Sequence, residues 1–398
     1  MPTCRLCHTT AVADLIDFGP QPISNRFLSA SAADEALFPM VLSQCQACGL
    51  VQLRRMPPAA ELMPQYSWIA YNEPEGHLDD LADNIARLPG LTRDAIIRGL
   101  SAKDDSLLRR MQQRGFPRTC RIDLKADLEV STPGAGVETV QDRLDRRRAL
   151  ALAAKRGRAQ VIIARHIVEH AHDLRGFLDA LAELVAPDGY LVIEVPDCRP
   201  AFRLRDCTIL WEEHASYFTA ATLPNVFAHL GQAIVSLQAI PNGFEHLLVG
   251  IGRAGTVPPT AQSPAGPGQE LTAMRNIPSD FSEQRRHVRE LLQQRRGAGE
   301  IVLLGAGHLA CAFINYLGVG QYLTCVVEDE PNKQGLLMPG SRLPIFGSEA
   351  LLRKDVRLCL LSVNREVEDK VMRKNQAFVD RGGVFASIFK TSSRCLMS

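Results

Sequence analysis

Residues 160–196 of this chain read QVIIARHIVEHAHDLRGFLDALAELVAPDGYLVIEVP. The apolar, β-branched runs at 160–167 and 189–196 predict two strands, and the stretch 177–186 between them predicts a helix. Nearly continuous apolar strands are typical of a sheet covered on both faces, and strand–helix–strand alternation is typical of parallel pairing. The alternation extends over about residues 75–252, so the sequence predicts an α/β domain there.

A change of composition separates this region from a second alternating unit. Residues 253–269 read RAGTVPPTAQSPAGPGQ, where Pro, Gly and small polar residues replace the apolar periodicity. After a predicted helix near 280–296, the stretch EIVLLGAGHLACAFINYLG at 300–318 begins a smaller Rossmann-like unit. We therefore expect three domains, at 1–70, 71–255 and 270–398.

Charge and hydropathy exclude several classes of partner. The 398 residues have a formal net charge of +1, which predicts neither a nucleic-acid nor a membrane surface. No apolar run approaches the roughly 18 residues of a membrane helix, and the first residues are polar, unlike a signal peptide. The expectation from sequence is a cytoplasmic protein, a monomer or weak dimer, with a small-molecule substrate.

Two cysteine pairs at the N-terminus predict a zinc site. Cys4 and Cys7 form one C-x2-C pair, and Cys45 and Cys48 form another. Each pair suits a tight knuckle that directs two thiolates at one ion, and structural zinc takes four such ligands. The segment between the pairs has few periodic apolar positions, so a metal would compensate for a weak core. A redox dithiol is the alternative, and it does not explain why the pairs bracket this segment.

Several motifs resemble one enzyme family along nearly the whole chain. They are DFGPQPISNRFL at 17–28, FPMVLSQCQACGLVQL at 38–53, QYSWIAY at 65–71, ARHIVEHAHDL at 164–174, APDGYLVIEVPD at 186–197, WEEHASYFT at 211–219, and GAGHLACAFINYLG at 305–318 with EDEPNKQGLLMPGSRLPI at 328–345. In this order they resemble the sugar C-methyltransferases, which act on nucleotide-linked keto-sugars. The resemblance implies a class I methyltransferase domain that uses S-adenosylmethionine, between a zinc-binding module and a smaller Rossmann-like domain.

The resemblance also implies catalytic residues. His214 corresponds to the proposed general base, which suits a reaction that removes a proton next to a carbonyl, and Glu213 would orient its ring. His170, together with either Tyr66 or Tyr71, would stabilise the enolate oxygen. The sequence does not choose between the two tyrosines.

The expected donor turn departs from the family pattern. Class I methyltransferases place glycines after the first strand, where the backbone approaches the donor, but IIRGLSAKDDSLLRRM at 96–111 keeps only one glycine. Candidate donor-binding residues implied by the resemblance are Gly99, Ser101, Asp104, Asp123 and His166. Asp123 would accept hydrogen bonds from the ribose hydroxyls, or would simply end a strand without a ligand.

The C-terminal unit contributes further candidates. Its G-x-G-x-x-A turn directs helix N-terminal amides at an anion, and the resemblance implies that this domain completes a nucleotide-sugar site. NAD binding and a purely architectural role are the alternatives. The candidate substrate-binding residues are Gly305, Gly307, His308 and Lys333 of this unit, together with Tyr217 of the middle domain. Two other functions stay open for the whole chain: proton transfer by a protein that has lost the methyl donor, and a non-catalytic partner in a biosynthetic cluster.

Overall fold

The structure is a computed structural model that describes residues 2–29, 31, 34–66, 75–241, 246–255 and 267–397. The chain divides into two compact units. Unit 1 comprises Met1–Asp14, Leu42–Arg199 and Glu213–Thr272, and unit 2 comprises Leu15–Val41, Pro200–Glu212 and Ala273–Ser398. The three domain boundaries expected from sequence stay predictions, and most of the expected linker, 256–266, lies outside the described residues.

Helices and strands alternate through most of the described residues. The strands are β1 (Val12–Pro22), β2 (Leu37–Cys45), β3 (Val51–Leu53), β4 (Ile97–Gly99), β5 (Thr119–Arg121), β6 (Ala159–Arg165), β7 (Val185–Pro196), β8 (Ser216–Tyr217), β9 (Ala233–Ile240), β10 (Leu247–Arg253), β11 (Glu300–Leu304), β12 (Cys325–Val327), β13 (Ile345–Phe346), β14 (Val356–Leu361) and β15 (Val384–Ser387). The α-helices are α1 (Ala59–Leu62), α2 (Leu78–Ala86), α3 (Asp105–Gln113), α4 (Leu124–Leu128), α5 (Val137–Arg143), α6 (Arg146–Arg156), α7 (Leu174–Leu184), α8 (Arg199–Leu204), α9 (Pro224–His229), α10 (Gly268–Met274), α11 (Ile277–Arg296), α12 (His308–Leu317), α13 (Arg365–Lys374) and α14 (Gln376–Asp380). Short 3-10 helices cover Ala102–Asp104, Cys207–Ile209, Gly320–Tyr322 and Ser348–Leu352.

The central sheet of unit 1 has the order β5-β4-β6-β7-β10-β9. Strands β5, β4, β6 and β7 are parallel, whereas β10 pairs antiparallel with both β7 and β9. Alternate residues of β6 enter different cores, Val161 and Ile163 on one face and Ile162 and Ala164 on the other. Because both faces are covered, both strands of the predicted strand–helix–strand unit are buried along almost their whole length.

The chain order of the strands defines where a ligand is expected. From β4 the chain passes to β5 on one side, and it then returns to β6 on the other side of β4. Ligands of open parallel sheets bind outside the carboxyl ends of the strands at such a reversal of order. The residues that follow β4 and β6 are therefore the first place to look for a site in unit 1.

The N-terminal strands β1, β2 and β3 join β8 in a sheet of order β1-β2-β3-β8. Strand β3 pairs antiparallel with β2 through Ser43 and Gln52, and with β8 through Gln52 and Ser216. Through the second pairing, the strand that follows the second cysteine knuckle is hydrogen-bonded to the segment that follows His214.

Unit 2 contains a parallel sheet of order β13-β12-β11-β14-β15, as the predicted Rossmann-like unit requires. The turn after β11 leads into α12, and Gly305 has a φ of +107° in this turn. A Cβ at Gly305 would lie 2.9 Å from the Ser362 hydroxyl, so the close approach of β14 also requires glycine there. No helix among the described residues is both long and apolar enough to cross a membrane.

Candidate active site

The four N-terminal cysteines converge as the spacing predicts. Their sulfur atoms all lie within 4.8 Å of one another, with 3.6 Å between Cys4 and Cys48 and 3.5 Å between Cys7 and Cys45. Thiolates bound tetrahedrally to zinc lie roughly 3.8 Å apart, so the four thiols fit one zinc ion. In the second knuckle the Cys48 amide donates to the Cys45 sulfur at 3.4 Å. Gly49 follows with a φ of +77°, which closes this turn.

The zinc module is bonded to the loops that contain the candidate catalytic histidines. The Leu53 amide of β3 donates to the Ala215 carbonyl at 3.0 Å, directly after His214. The Arg5 guanidinium, between the first two cysteines, donates to the His172 carbonyl. The zinc ligands therefore influence the positions of both histidine segments within unit 1.

The turn after β4 binds its own acidic side chain. Asp104 is fully buried, and its carboxylate accepts from the amides of Leu100 at 2.7 Å and Ser101 at 3.0 Å. The second oxygen accepts from the Arg165 amide at the end of β6 at 3.0 Å. Burial raises the pKa of Asp104 to about 6 despite these three donors. Gly99 permits this arrangement, because a Cβ there would lie 2.6 Å from the Asp104 Cβ.

We expect Asp104→Asn to destabilise unit 1 by about 1–3 kcal/mol, because an amide NH2 must then face a buried backbone N–H that has lost its acceptor. Urea unfolding measures the difference. Asp105→Asn is the matched control, since its carboxylate forms a half-exposed pair with Arg121, and we expect at most about 0.5 kcal/mol there. An equal loss of unfolding free energy in the two variants would contradict the stabilising role of the Asp104 hydrogen bonds.

A buried ion network spans the carboxyl ends of β6 and β7. Glu194 is fully buried and accepts from Arg165 Nε at 3.0 Å, His166 Nε2 at 3.0 Å and His77 Nε2 at 2.9 Å. Burial alone would raise the pKa of Glu194, but these partners hold it well below the ordinary value. Through Arg165, the network includes the end of β6, one of the two strands at the reversal of strand order. The Arg165 Nη2 lies 2.9 Å from the same Glu194 oxygen and makes no hydrogen bond among the described residues.

The other candidate donor-binding residues each follow a strand of the central sheet, namely β4, β5 or β6. Ser101 is buried and caps the 3-10 helix, its hydroxyl accepting from the Lys103 amide. Asp123 is exposed at the end of β5 and caps α4, accepting from the Ala126 amide at 2.7 Å. His166 has a φ of +48°, and its Nε2 lies 3.0 Å from Glu194 Oε1. Their role in donor binding stays a prediction.

His170 forms a close pair with a carboxylate from another helix. Its Nδ1 lies 2.6 Å from Glu138 Oε1 on α5, and both side chains are buried. Burial alone would lower the pKa of His170, but the charge of Glu138 and its hydrogen bond, helped by Glu169, raise the pKa above its ordinary value. The pair therefore favours an imidazolium ring.

Glu138→Gln is expected to reduce the melting temperature most at low pH. The raised pKa of His170 means that the pair stabilises the fold fully below about pH 6.5, and that this contribution disappears as the pH rises through the pKa of the folded state. Thermal unfolding between about pH 5.5 and 9 checks this. The control is Glu183→Gln, because this carboxylate pairs with two arginines, Arg146 and Arg158, and with no histidine among its ion pairs in the described residues. A pH-independent difference for Glu138→Gln would refute the assignment.

The second catalytic motif lies beside this pair. The His214 ring meets His170 edge-on, with centroids 4.8 Å apart and planes at 81°, and the Tyr217 ring lies 6.2 Å away. One Glu213 oxygen lies within 4.8 Å of ligand atoms of His170 and Glu138. Tyr66 is half-buried, whereas Tyr71 lies outside the described residues. The two histidines expected from sequence are thus neighbours in unit 1.

The preceding residues of the same motif belong to unit 2. The Trp211 ring stacks on His308 with centroids 4.5 Å apart, and its indole N–H donates to the Ser24 hydroxyl at 3.0 Å. Glu212 accepts from the Ser24 amide at 2.6 Å, and burial raises the pKa of Glu212.

The glycine turn of unit 2 is occupied in part by a carboxylate. The Ala306 amide, between Gly305 and Gly307, donates to Glu328 Oε2 at 3.0 Å. Lys333 donates to the Ala306 carbonyl at 2.7 Å and lies 3.3 Å from the same Glu328 oxygen. A Cβ at Gly307 meets no atom within 4 Å, so this side of the turn is open.

Sequence reasoning missed several residues that shape the site. They are Glu138, Glu169, Arg165, Glu194 and His77. Glu169 precedes His170 in the same motif, and Arg165 and Glu194 end two apolar strands, where a charge is a signal of a site. For Glu138 and His77, no motif in the sequence points to the cluster.

Three family models match successive parts of the chain. A zinc binding domain matches residues 4–62, a methyltransferase domain matches 75–237, and a C-methyltransferase C-terminal domain matches 268–389. Among known proteins, C-methyltransferase NovU of Streptomyces niveus is 25% identical, over 96% of this chain and 94% of its own length.

Solved structures are similar to about half of the chain. A 1,6-didemethyltoxoflavin-N1-methyltransferase of Burkholderia thailandensis is 17% identical, covering 45% of this chain and 79% of its own, with a TM-score of 0.30. N-methyltransferase NodS of Bradyrhizobium japonicum WM9 is 14% identical, covering 50% of this chain and 95% of its own, with a TM-score of 0.32. The order of the three family models and the full-length similarity to NovU show the organisation of an S-adenosylmethionine-dependent C-methyltransferase, with a zinc-binding domain, a methyltransferase domain and a C-methyltransferase C-terminal domain in succession.

Proposed function

We propose that this protein methylates a carbon next to a carbonyl group of a nucleotide-linked keto-sugar or a related enolisable metabolite, with His214 as the general base. The observation that supports this most is the pair of neighbouring, buried histidines, one of which is held by a carboxylate. Two imidazoles in different electrostatic surroundings suit a reaction that removes a proton at one atom and stabilises charge at another.

His214 supplies the base. The neighbouring ring, His170, is stabilised in its charged form by Glu138. The carboxylate therefore distinguishes the two rings, and the uncharged one is the base. A neutral imidazole accepts the proton on the carbon next to the carbonyl, and a histidine is suited to this at neutral pH. Glu213, the preceding residue, orients the ring in this proposal.

His170 binds the developing enolate. As an imidazolium it donates a charge-assisted hydrogen bond to the carbonyl oxygen of the substrate, which gains negative charge as the proton leaves. Glu138 keeps the ring charged and fixed, while Tyr66, Tyr71 or Tyr217 provides a further donor or a wall of the pocket. Burial of the cluster strengthens each of these interactions because water is excluded.

The residues of unit 1 fit the methyl donor in part. S-adenosylmethionine, when bound, supplies an electrophilic methyl group. Arg165 Nη2 is buried and makes no hydrogen bond among the described residues, so it suits the carboxylate of a donor although it lies in an ion pair with Glu194. Asp123 is an exposed acidic side chain that suits ribose hydroxyls. The turn after β4 fits less well, because its amides already bind Asp104.

Unit 2 is proposed to hold the nucleotide. The open side of Gly307 leaves room for a ligand against the turn, and Lys333 provides a cation beside it. The Glu328 carboxylate accepts a hydrogen bond from the Ala306 amide, and an acidic residue in this position suits the hydroxyls of a ribose. Its negative charge disfavours a phosphate group at the same amide. His308, stacked on Trp211, is the first residue of α12, directly after this turn.

One observation favours a second function. The carboxylate of Asp104 fills the turn where a donor carboxylate would otherwise receive backbone amides. A protein with this turn closed would use its histidines for proton transfer alone, as in an isomerisation.

Calorimetric titration with S-adenosylmethionine and S-adenosylhomocysteine separates the two. We expect saturable binding, and about tenfold weaker binding for Asp123→Asn, which keeps the helix cap but loses a charged acceptor. Asp105→Asn is the control and should bind as the wild type does. No heat at about millimolar ligand would reject the methyltransferase proposal, whereas unchanged affinity in Asp123→Asn would reject only the role of that residue.

A further inference from the structure

One buried carboxylate in the histidine cluster has no role in the proposed reaction. Glu169 is 1% exposed, and neither of its side-chain oxygens makes a hydrogen bond among the described residues. The His166 Nδ1 atom lies 3.6 Å from its Oε1, beyond hydrogen-bond distance. A buried carboxylate without hydrogen bonds is costly, so a ligand that supplies positive charge would stabilise it.

Two imidazoles lie close to this carboxylate. Ligand atoms of Glu169, His170 and His214 all lie within 4.8 Å of one another. We propose that Glu169, His170 and His214 form a binding site for a divalent transition-metal cation, with zinc as the best-suited ion. The site is separate from the four cysteines and does not depend on methyl transfer.

The donor set has the composition that such cations prefer. Two imidazoles and one carboxylate bind Zn²⁺ or Fe²⁺, whereas Mg²⁺ and Ca²⁺ prefer oxygen ligands throughout. Ligands of a tetrahedral zinc lie roughly 3.4 Å apart, so binding draws the three side chains together. Three protein ligands leave a fourth position for water or substrate.

The surroundings of His170 support this assignment independently. A metal-bound histidine usually donates its other ring nitrogen to a carboxylate, which fixes the ring and raises its basicity as a ligand. Glu138 Oε1 lies 2.6 Å from Nδ1 of His170, in the position of that outer carboxylate. The ring nitrogen that would bind the ion is therefore Nε2.

The cation conflicts with the proposed roles of both rings, because His170 must lose its extra proton to bind a metal ion, whereas it is charged when it binds the enolate. A metal ion on His214 occupies the lone pair that proton abstraction needs, so under the proposed function the loaded site lowers turnover, and a chelator restores it. This consequence rests on the proposed function, whereas the binding itself does not.

The test is a titration of Zn²⁺, without donor or substrate, into full-length protein whose four-cysteine site is already loaded. We expect about one further equivalent in the wild type. Glu169→Gln and His214→Ala should each weaken this binding by at least about tenfold. His229→Ala is the matched control, because that imidazole of unit 1 pairs with Asp179 at 3.1 Å, apart from the cluster, and it should bind as the wild type does.

Retention of the cysteine-bound zinc and an unchanged circular dichroism spectrum establish that a variant is folded. If Glu169→Gln fails this check, Glu169→Asp replaces it, and its shorter carboxylate should bind more weakly than the wild type. Absence of the further equivalent in wild-type protein overturns the proposal. Equal affinity in wild type and the folded Glu169 variant overturns it as well. Neither outcome affects the methyl-donor titration, so the two proposals can fail separately.

Discussion

Replacing His214 with alanine is expected to lower turnover by about 10²–10⁴-fold, because the reaction then lacks the positioned group that accepts the substrate proton. The ring lies against His170 in a buried cluster, so solvent has little access to replace it. Turnover under saturating donor, followed from about pH 6 to 9, measures the loss. The wild type should also show a rise in rate with the ionisation of a histidine, and His214→Ala should lose that rise.

The control for this experiment is His229→Ala, which removes a half-buried imidazole from α9 in the same unit. We expect its turnover to stay within a factor of two or so of the wild type, since a surface pair contributes about 0–1 kcal/mol. Donor binding by His214→Ala should be retained. A variant that binds the donor and turns over at the wild-type rate would show that another residue is the base.

Replacing Cys48 with serine is expected to release the zinc ion and destabilise unit 1 by several kcal/mol. Metal binding at a structural site contributes directly to the folding free energy, and Cys48 is buried among the other three sulfurs. At about 5 kcal/mol, the melting temperature would fall by roughly 10–20 °C. Metal analysis of the purified protein and thermal unfolding measure the two effects.

Cys120→Ser is the matched control, because this half-buried cysteine lies on β5, outside the knuckles. It should keep its zinc and its melting temperature within a few degrees. Full zinc content in Cys48→Ser would contradict the four-ligand site, and unchanged stability after zinc loss would show that the module folds without its metal.

Patterns that are local in sequence were predictive. The cysteine pairs predicted their own convergence, because a C-x2-C knuckle is a local structure and only the meeting of two knuckles had to be inferred. The strand–helix–strand stretch at 160–196 became β6, α7 and β7, with Asp173 capping the helix. Its periodicity reflects burial on both faces of one sheet.

The polar network could not be predicted in the same way. In sequence, SAKDD at 101–105 has the composition of an exposed turn, yet Asp104 is fully buried by contacts with β6. Glu138 reaches His170 only because α5 packs beside that loop, and His77 reaches Glu194 from the start of α2. Such partners are set by tertiary packing, which leaves no periodic trace in the chain.

The hydrogen bonds between β3 and β8 have a consequence for protein engineering. Strand β3 pairs with β8 through Val51–Tyr217 and Gln52–Ser216, and this pairing holds the chain directly after His214. A gene fusion that exchanges the N-terminal segment between related enzymes would replace β3 but keep β8. A recombinant chimera with a crossover between these strands would combine β3 from one parent with β8 from another, and the two strands would no longer be matched to each other. Library designs that alter acceptor preference should therefore transfer residues 51–53 and 213–217 as one block.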